Sequence, residues 1–235
     1  MQRKAAPMDF VFMLTRNDAT VGDALELVEA VRPLGLRHIG FKDVGAAPAA
    51  LLALTRAIRE AGAQVWMEVV AVEREDQLRA FALACDLGVD WLMGGASPEE
   101  ALRILAGSAT RHLPFAGRPF GHPTKLGGRA DEVEAQCRRF AAMGCAGVDI
   151  LAYRATEAEP LDLVAACRRG LPEGAKVVVA GSIDCAERIA AIHAAGADAF
   201  TVGTAVLDGR YAPGAGPLEA QLTAVMRECR AVSES

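Results

Sequence analysis

Short apolar runs alternate with segments of helical periodicity from one end of the chain to the other. The first run is DFVFMLT at 9–15, and Val21, Ala24, Leu25, Val28 and Val31 then recur at the three-to-four spacing of an amphipathic helix. HIGFKDV at 38–44 precedes an Ala/Leu-rich helix over 48–62. QVWMEVVA at 64–71 precedes a helix over 77–88, with Gly88 where a helix-ending glycine is expected. DWLMGG at 90–95 leads to Ser97 as an N-cap and Pro98 as the first helical residue. HLPFA at 112–116 is followed by a Gly/Pro-rich loop over 117–128 and a helix near 129–144. GVDILAYR at 147–154 reads as a sixth strand, with its helix over 160–170. KVVVAGSI at 176–183 reads as a seventh, with a helix over 186–196. AFTVG at 199–203 is the eighth, and Leu218, Leu222, Val225, Met226 and Cys229 mark a last amphipathic helix.

Eight strand–helix units share 235 residues, close to the ~30 residues that one such repeat needs. The strands are near-continuous apolar runs, as expected where both faces are covered. The pattern predicts a single-domain α/β fold over 1–235, a (β/α)8 TIM barrel. A doubly wound open sheet would normally begin with a glycine-rich nucleotide turn, and the first turn here, TRNDAT at 15–20, has none. An internal echo supports the barrel. GVDWLMGGA at 88–96 aligns without a gap onto GADAFTVGT at 196–204, matching Gly88, Asp90 and Gly95 to Gly196, Asp198 and Gly203.

Composition narrows the classes. Hydrophobic residues make up 52% and charged residues 23%, which excludes a disordered chain. The net charge of −5 argues against a broad nucleic-acid surface but permits a local cationic pocket. No run approaches the roughly 20 apolar residues of a membrane span, and no secretory signal is evident. The expectation is a cytoplasmic protein without membrane or nucleic-acid partners, and a homo-oligomer stays open. Six cysteines at irregular spacing, none in a C-x-x-C pair, read as reduced, packed thiols.

In a barrel the chemistry lies at the C-terminal ends of the strands. The seventh and eighth junctions carry the sharpest signal. VVVAGSID at 177–184 puts Gly181 and Ser182 where one strand ends, and FTVGTAVLDG at 200–209 puts Gly203 and Thr204 where the next ends. A phosphate needs converging N–H donors on backbone that it can approach closely; glycines and a short helical turn supply both. An extra small helix beside strands seven and eight is a common phosphate site of barrel enzymes.

The VVAGSID stretch, followed by GADAFTVGTA about 20 residues later, resembles the ribulose-phosphate-binding barrel superfamily. That group holds phosphosugar isomerases, epimerases and decarboxylases. The resemblance is specific over 176–209 and architectural elsewhere. It implies a phosphorylated, sugar-like ligand with Gly181, Ser182, Gly203 and Thr204 at its phosphate. It does not select a reaction. The sequence lacks the paired acids at strands one and five of the histidine-biosynthesis isomerases, since Asp9 opens the first strand and lies at its wrong end. It also lacks the D-x-K-x-x-D motif of the decarboxylases, having only Glu68 on the third strand.

Five residues are catalytic candidates: Lys42, Glu68, Asp149, Tyr153 and His122. Lys42 stands at an apolar strand end, where desolvation would free its amine for imine formation or general-base work and a carboxylate from Asp43 or Glu68 would oppose this. Some phosphosugar barrels, the furan-phosphate synthases, look similar in carrying a lysine on the second strand. Glu68 and Asp149 are carboxylates in apolar runs, which demand partners. Asp149 and Tyr153, four apart, would share a strand face. His122, in the fifth loop, can exchange a proton near pH 7, and that loop is expected to act as a lid. Asp43, Lys125 and Arg154 are candidates for further substrate contacts. There is no metal motif; one Mg2+ held by Glu68 and Asp149 would suit hard-cation chemistry but has no spacing signature. These residues point to an enzyme working next to a carbonyl, by isomerisation or epimerisation or as an aldolase or decarboxylase. The alternative is a non-catalytic phosphometabolite-binding barrel or assembly subunit.

Overall fold

A computed structural model describes residues 7–121 and 124–234. Eight parallel strands form one sheet: β1 (Asp9–Met13), β2 (His38–Lys42), β3 (Gln64–Val69), β4 (Trp91–Gly94), β5 (Arg111–Leu113), β6 (Gly147–Ile150), β7 (Lys176–Val179) and β8 (Ala199–Val202). The ladder runs β6-β7-β8-β1-β2-β3-β4-β5. Its two ends meet through an isolated Phe115–Asp149 bridge, in which the Ala116 N–H donates to the Asp149 carbonyl at 2.9 Å and the Asp149 N–H to the Pro114 carbonyl at 3.0 Å. The sheet therefore closes on itself as a single-domain (β/α)8 barrel.

The helices are α1 (Ala24–Val31), α2 (Pro48–Glu60), α3 (Arg74–Leu87), α4 (Pro98–Ile104), α5 (Ala130–Met143), α6 (Pro160–Gly170), α7 (Ala186–Ala194), the four-residue α8 (Thr204–Leu207) and α9 (Leu218–Ser233). Among the described residues none is long and apolar enough to cross a membrane. Strand residues alternate between two cores. Phe10, Phe12, Ile39 and Phe41 pack outward against helices, while Val11, Met13, Trp66, Trp91, Met93, Leu113 and Val178 fill the barrel.

The internal echo is structural. Asp90 Oδ2 accepts the Val65 N–H at 2.8 Å, and Asp198 Oδ2 accepts the Val177 N–H at the same distance. Each aspartate starts a strand and pins the start of the one before it. The preceding Gly88 and Gly196 both close a helix with positive φ. The echo ends at the strand tips: Gly95 has φ 74°, whereas Gly203 has φ −138° and starts α8.

Four local readings change. The first strand stops at Met13, and residues 15–20 form a hairpin pairing Thr15 with Thr20 and Arg16 with Ala19. The fifth loop also contains a hairpin, Arg118–Phe120 against Lys125–Gly127. The sixth strand stops at Ile150 and gives way to a 3-10 turn over Ala152–Arg154, closed by the Arg154 N–H donating to the Leu151 carbonyl at 2.9 Å. Tyr153 thus leaves the strand face it was expected to share with Asp149. Ser97 occupies the N-cap of α4 but makes no side-chain capping bond.

Candidate functional site

At the C-terminal mouth lies a cavity of about 680 Å³. Lys42 lines it and is only 6% exposed. Its ammonium donates to Asp18 Oδ1 at 2.8 Å and stands 3.4 Å from Glu68 Oε2. The Lys42 and Glu68 side chains meet because β2 and β3 pair in register, Lys42 opposite Glu68, and both point into the barrel. Asp43, one residue on, points elsewhere, so it is not the partner of Lys42. Its carboxylate accepts the Val70 N–H at 3.1 Å and faces a neighbouring cavity.

Asp18 arrives from the hairpin tip. Asn17 and Asp18 both have positive φ, 49° and 58°, the geometry of a tight two-residue hairpin turn. Thr20 ties this hairpin to β2: its hydroxyl donates to the Lys42 carbonyl and accepts the Lys42 N–H, both at 2.9 Å. The turn is therefore fixed to the strand whose lysine it faces.

Burial pushes the Lys42 ammonium toward losing its proton, but the Glu68 and Asp18 carboxylates outweigh this and hold its pKa above that of an ordinary lysine. Burial would likewise raise the Asp18 carboxyl, yet the Lys42 and Arg154 charges keep it below the usual range. Asp149 is the opposite case. It is fully buried, and neither carboxyl oxygen has a hydrogen-bond partner among the described residues. Burial, reinforced by the Glu68 charge, drives its pKa well above the usual carboxylate range.

The two glycine turns also line the cavity. Gly181 has φ 77°, and a Cβ there would stand 2.6 Å from Arg154 Nε, so only glycine lets the guanidinium lie across this turn. A Cβ at Gly203 would meet the Met13 carbonyl oxygen at 2.7 Å. Ser182 and Thr204 line the cavity with them. Arg188 and Arg210 also line the cavity. Arg188 donates to Asp184 at 2.9 Å and lies over the Tyr153 ring, 4.7 Å from its centre. Burial raises the Tyr153 pKa, keeping a phenol that can donate. Among the described residues, the hydrogen bonds of Arg154 are long ones, 3.5 Å to Asp18 and 3.4 Å to the Thr124 carbonyl.

The structure thus brings together Lys42, Glu68, Tyr153, Arg154, Gly181, Ser182, Gly203 and Thr204. Asp149 lies below them and does not line the cavity. Lys125 is exposed on the second hairpin and does not line the cavity. His122 lies outside the described residues. Sequence reasoning missed Asp18, Arg188 and Arg210. For Asp18 a signal existed: Asn-Asp between an apolar run and a helix is a turn marker. A Mg2+ ion on Glu68 and Asp149 does not suit this arrangement, since Asp149 is fully buried and does not line the cavity and Glu68 already faces an ammonium. Among the described residues, no group of three or more His, Cys, Asp or Glu side chains is placed to hold a metal.

No family model matches the sequence, and no curated protein matches it. Solved structures do. Orotidine 5'-phosphate decarboxylase from Pyrococcus horikoshii OT3 is 18% identical, with a TM-score of 0.61 over 94% of this chain and 99% of that one. A mutant tryptophan synthase alpha-subunit from Pyrococcus furiosus is 12% identical, TM-score 0.62, over 99% of each chain. A mandelate oxidase mutant with an FMN adduct is 14% identical, TM-score 0.65, over 97% of this chain and 73% of that one. At such identities the likeness is one of fold. It is the fold that the resemblance to ribulose-phosphate-binding barrels implied, and its neighbours span several chemistries.

Proposed function

We propose that this chain is an enzyme that acts on a small phosphorylated, sugar-like substrate by moving a proton next to a carbonyl. The observation that carries the reading is the buried Lys42 ammonium, held between Asp18 and Glu68 in a cavity that the two glycine turns also line. A phosphate seated on the N–H groups near Ser182, Gly203 and Thr204, with Arg188 and Arg210 close by, would orient the carbon chain toward Lys42. Glu68 would take the proton from the carbon beside the carbonyl. Lys42 would stabilise the negative charge that develops on the carbonyl oxygen, and Tyr153 would donate to the same oxygen or its neighbour. Asp18 positions Lys42 and keeps it charged. Such an enediolate serves isomerisation and epimerisation directly, and carbon–carbon cleavage by the same electron flow.

A lysine held charged is a poor imine nucleophile. Borohydride with a turned-over substrate is therefore expected to leave no adduct on Lys42, read by peptide mass spectrometry. The reading itself is tested by NMR in D2O across a panel of phosphorylated aldoses and ketoses. Wild-type protein should exchange the hydrogen beside the carbonyl of at least one of them. Binding of phosphosugars without exchange of any would support the non-catalytic binding barrel instead.

A further inference from the structure

A second cavity, about 730 Å³, opens on the same face of the barrel between the exits of β2 and β3 and helix α3. Its lining is more apolar than that of the first, though the Asp18, Asp43 and Asp76 carboxylates stand at it too. Val44, Pro48, Val70, Val72, Ala80 and Leu83 line it. Val72 is 61% exposed and Val44 40% exposed, an unusual placement for two branched apolar side chains on adjacent rim turns. The cation in its lining, Arg79, is paired with Asp76, so no free cation among the described lining residues awaits an anion. Both cavities fall in the size range of small-molecule sites, roughly 300–1,000 Å³.

The two cavities adjoin. Asn17 and Asp18 line both, so the turn that faces Lys42 is also the wall between them. The rest of that divide is thin. Arg154 lines the first cavity and Thr124 the second, and they touch through one 3.4 Å contact. Because Thr20 pins the hairpin to β2, a ligand that used both cavities would cross the edge of the turn rather than displace it.

We infer that the substrate is longer than a simple sugar phosphate: it carries an uncharged apolar arm, and that arm lies in the second cavity against Val44, Val70 and Val72. This rests on the phosphorylated-substrate reading above and adds to it the class of the substrate's other end. The hydrophobic gain of seating the arm would act far from the reacting carbon, where binding energy can be used for orientation.

The test uses the whole chain and a series of n-alkyl phosphates from methyl to octyl, with Kd measured by calorimetry for the wild type, Val72→Asp and Val44→Asp. Both substituted positions are exposed, and neither belongs to the catalytic group, so the variants should fold and bind methyl phosphate like the wild type. In the wild type, once the chain reaches the second cavity, each further methylene should tighten Kd by about threefold to fourfold. Both aspartate variants should flatten this rise. A flat wild-type series, or a rise that neither variant changes, while methyl phosphate still binds, would overturn the arm and leave the phosphate site standing. Failure of methyl phosphate to bind any of the three proteins would overturn the phosphate site and the arm with it.

Discussion

The two ends of the barrel interior are built from the same strands and do opposite things. At the N-terminal end the Trp66 and Trp91 rings stack with centres 4.8 Å apart. The Arg111 guanidinium lies 3.7 Å from the centre of the Trp91 ring, and Lys176 stands 5.7 Å from the same ring. The Trp66 N–H donates to His38 Nδ1 at 3.2 Å, and His38 in turn meets Asp9 at 2.7 Å. The polar tips of Trp66, His38 and Asp9 are thus linked in a chain, and Arg111 and Lys176 stand against an aromatic face. At the C-terminal end a lysine is gripped by two carboxylates beside open space, with a third carboxyl unpartnered below. Partnered polar groups fill one end; at the other, charged groups line an open cavity.

The largest expected effect lies at the filled end. Trp66→Ala should lower unfolding free energy by about 3–5 kcal/mol, as for other buried large-to-small changes, measured by urea denaturation. A loss under ~1 kcal/mol would mean that this end is not what holds the barrel.

Acid separates wall from mouth. His112 is buried in the wall, where burial pushes its pKa down to about 4 against only one favourable bond to the Gly94 carbonyl. The unfolded chain takes up this proton near pH 6.5 and the folded one near pH 4, so stability falls as pH drops through that window, by on the order of 3 kcal/mol. His112→Gln should remove that limb. The Asp18 carboxyl, held low by Lys42, contributes stability that is lost only below its unfolded value near 4. That second limb should survive in His112→Gln and shrink in Asp18→Asn, and urea titrations at stepped pH will show whether the two limbs are separable.

At the mouth, Lys42→Met should slow carbonyl-adjacent exchange by about 100-fold or more, the scale of a positioned electrostatic group. Removing one partner of a sealed ion pair would cost about 3–5 kcal/mol of stability, but Asp18 and Glu68 face a cavity and can regain water. The stability loss should therefore stay well below that of Trp66→Ala. If the two variants were equally unstable, the division between a holding end and a reacting end would fail. Smallest is Asn17→Gly, which relieves a left-handed non-glycine residue at the hairpin tip. It should shift stability by less than about 1 kcal/mol and leave exchange rates unchanged, as seen by thermal unfolding and by the D2O assay together.

Much of the fold was legible in the sequence because periodicity is a local property. Eight apolar runs with eight helical patterns, helix-ending glycines and the paired VVAGSID and FTVGTA junctions place the strands, close the barrel and set Gly181, Ser182, Gly203 and Thr204 at its mouth. Asp149 and Glu68 were visible as carboxylates in apolar company. What periodicity could not say was which charges meet. Adjacent residues on a strand face opposite ways, so the choice between Asp43 and Glu68 as the partner of Lys42 depended on which face was the inside of the barrel and on the β2–β3 register. Asp18 lies 24 residues before Lys42, on a hairpin whose two left-handed residues no apolar pattern encodes. Tyr153 reached the cavity because the sixth strand ended at Ile150 and turned through a 3-10 turn, a change of course that the apolar run does not encode. The sequence by itself determined the repeating unit and the glycine turns, through spacings of two, three and four. The tertiary structure alone decided the Asp18–Lys42–Glu68 cluster and the buried Asp149 carboxyl beneath it, because those depend on ladder register and loop course, which join residues far apart in the chain.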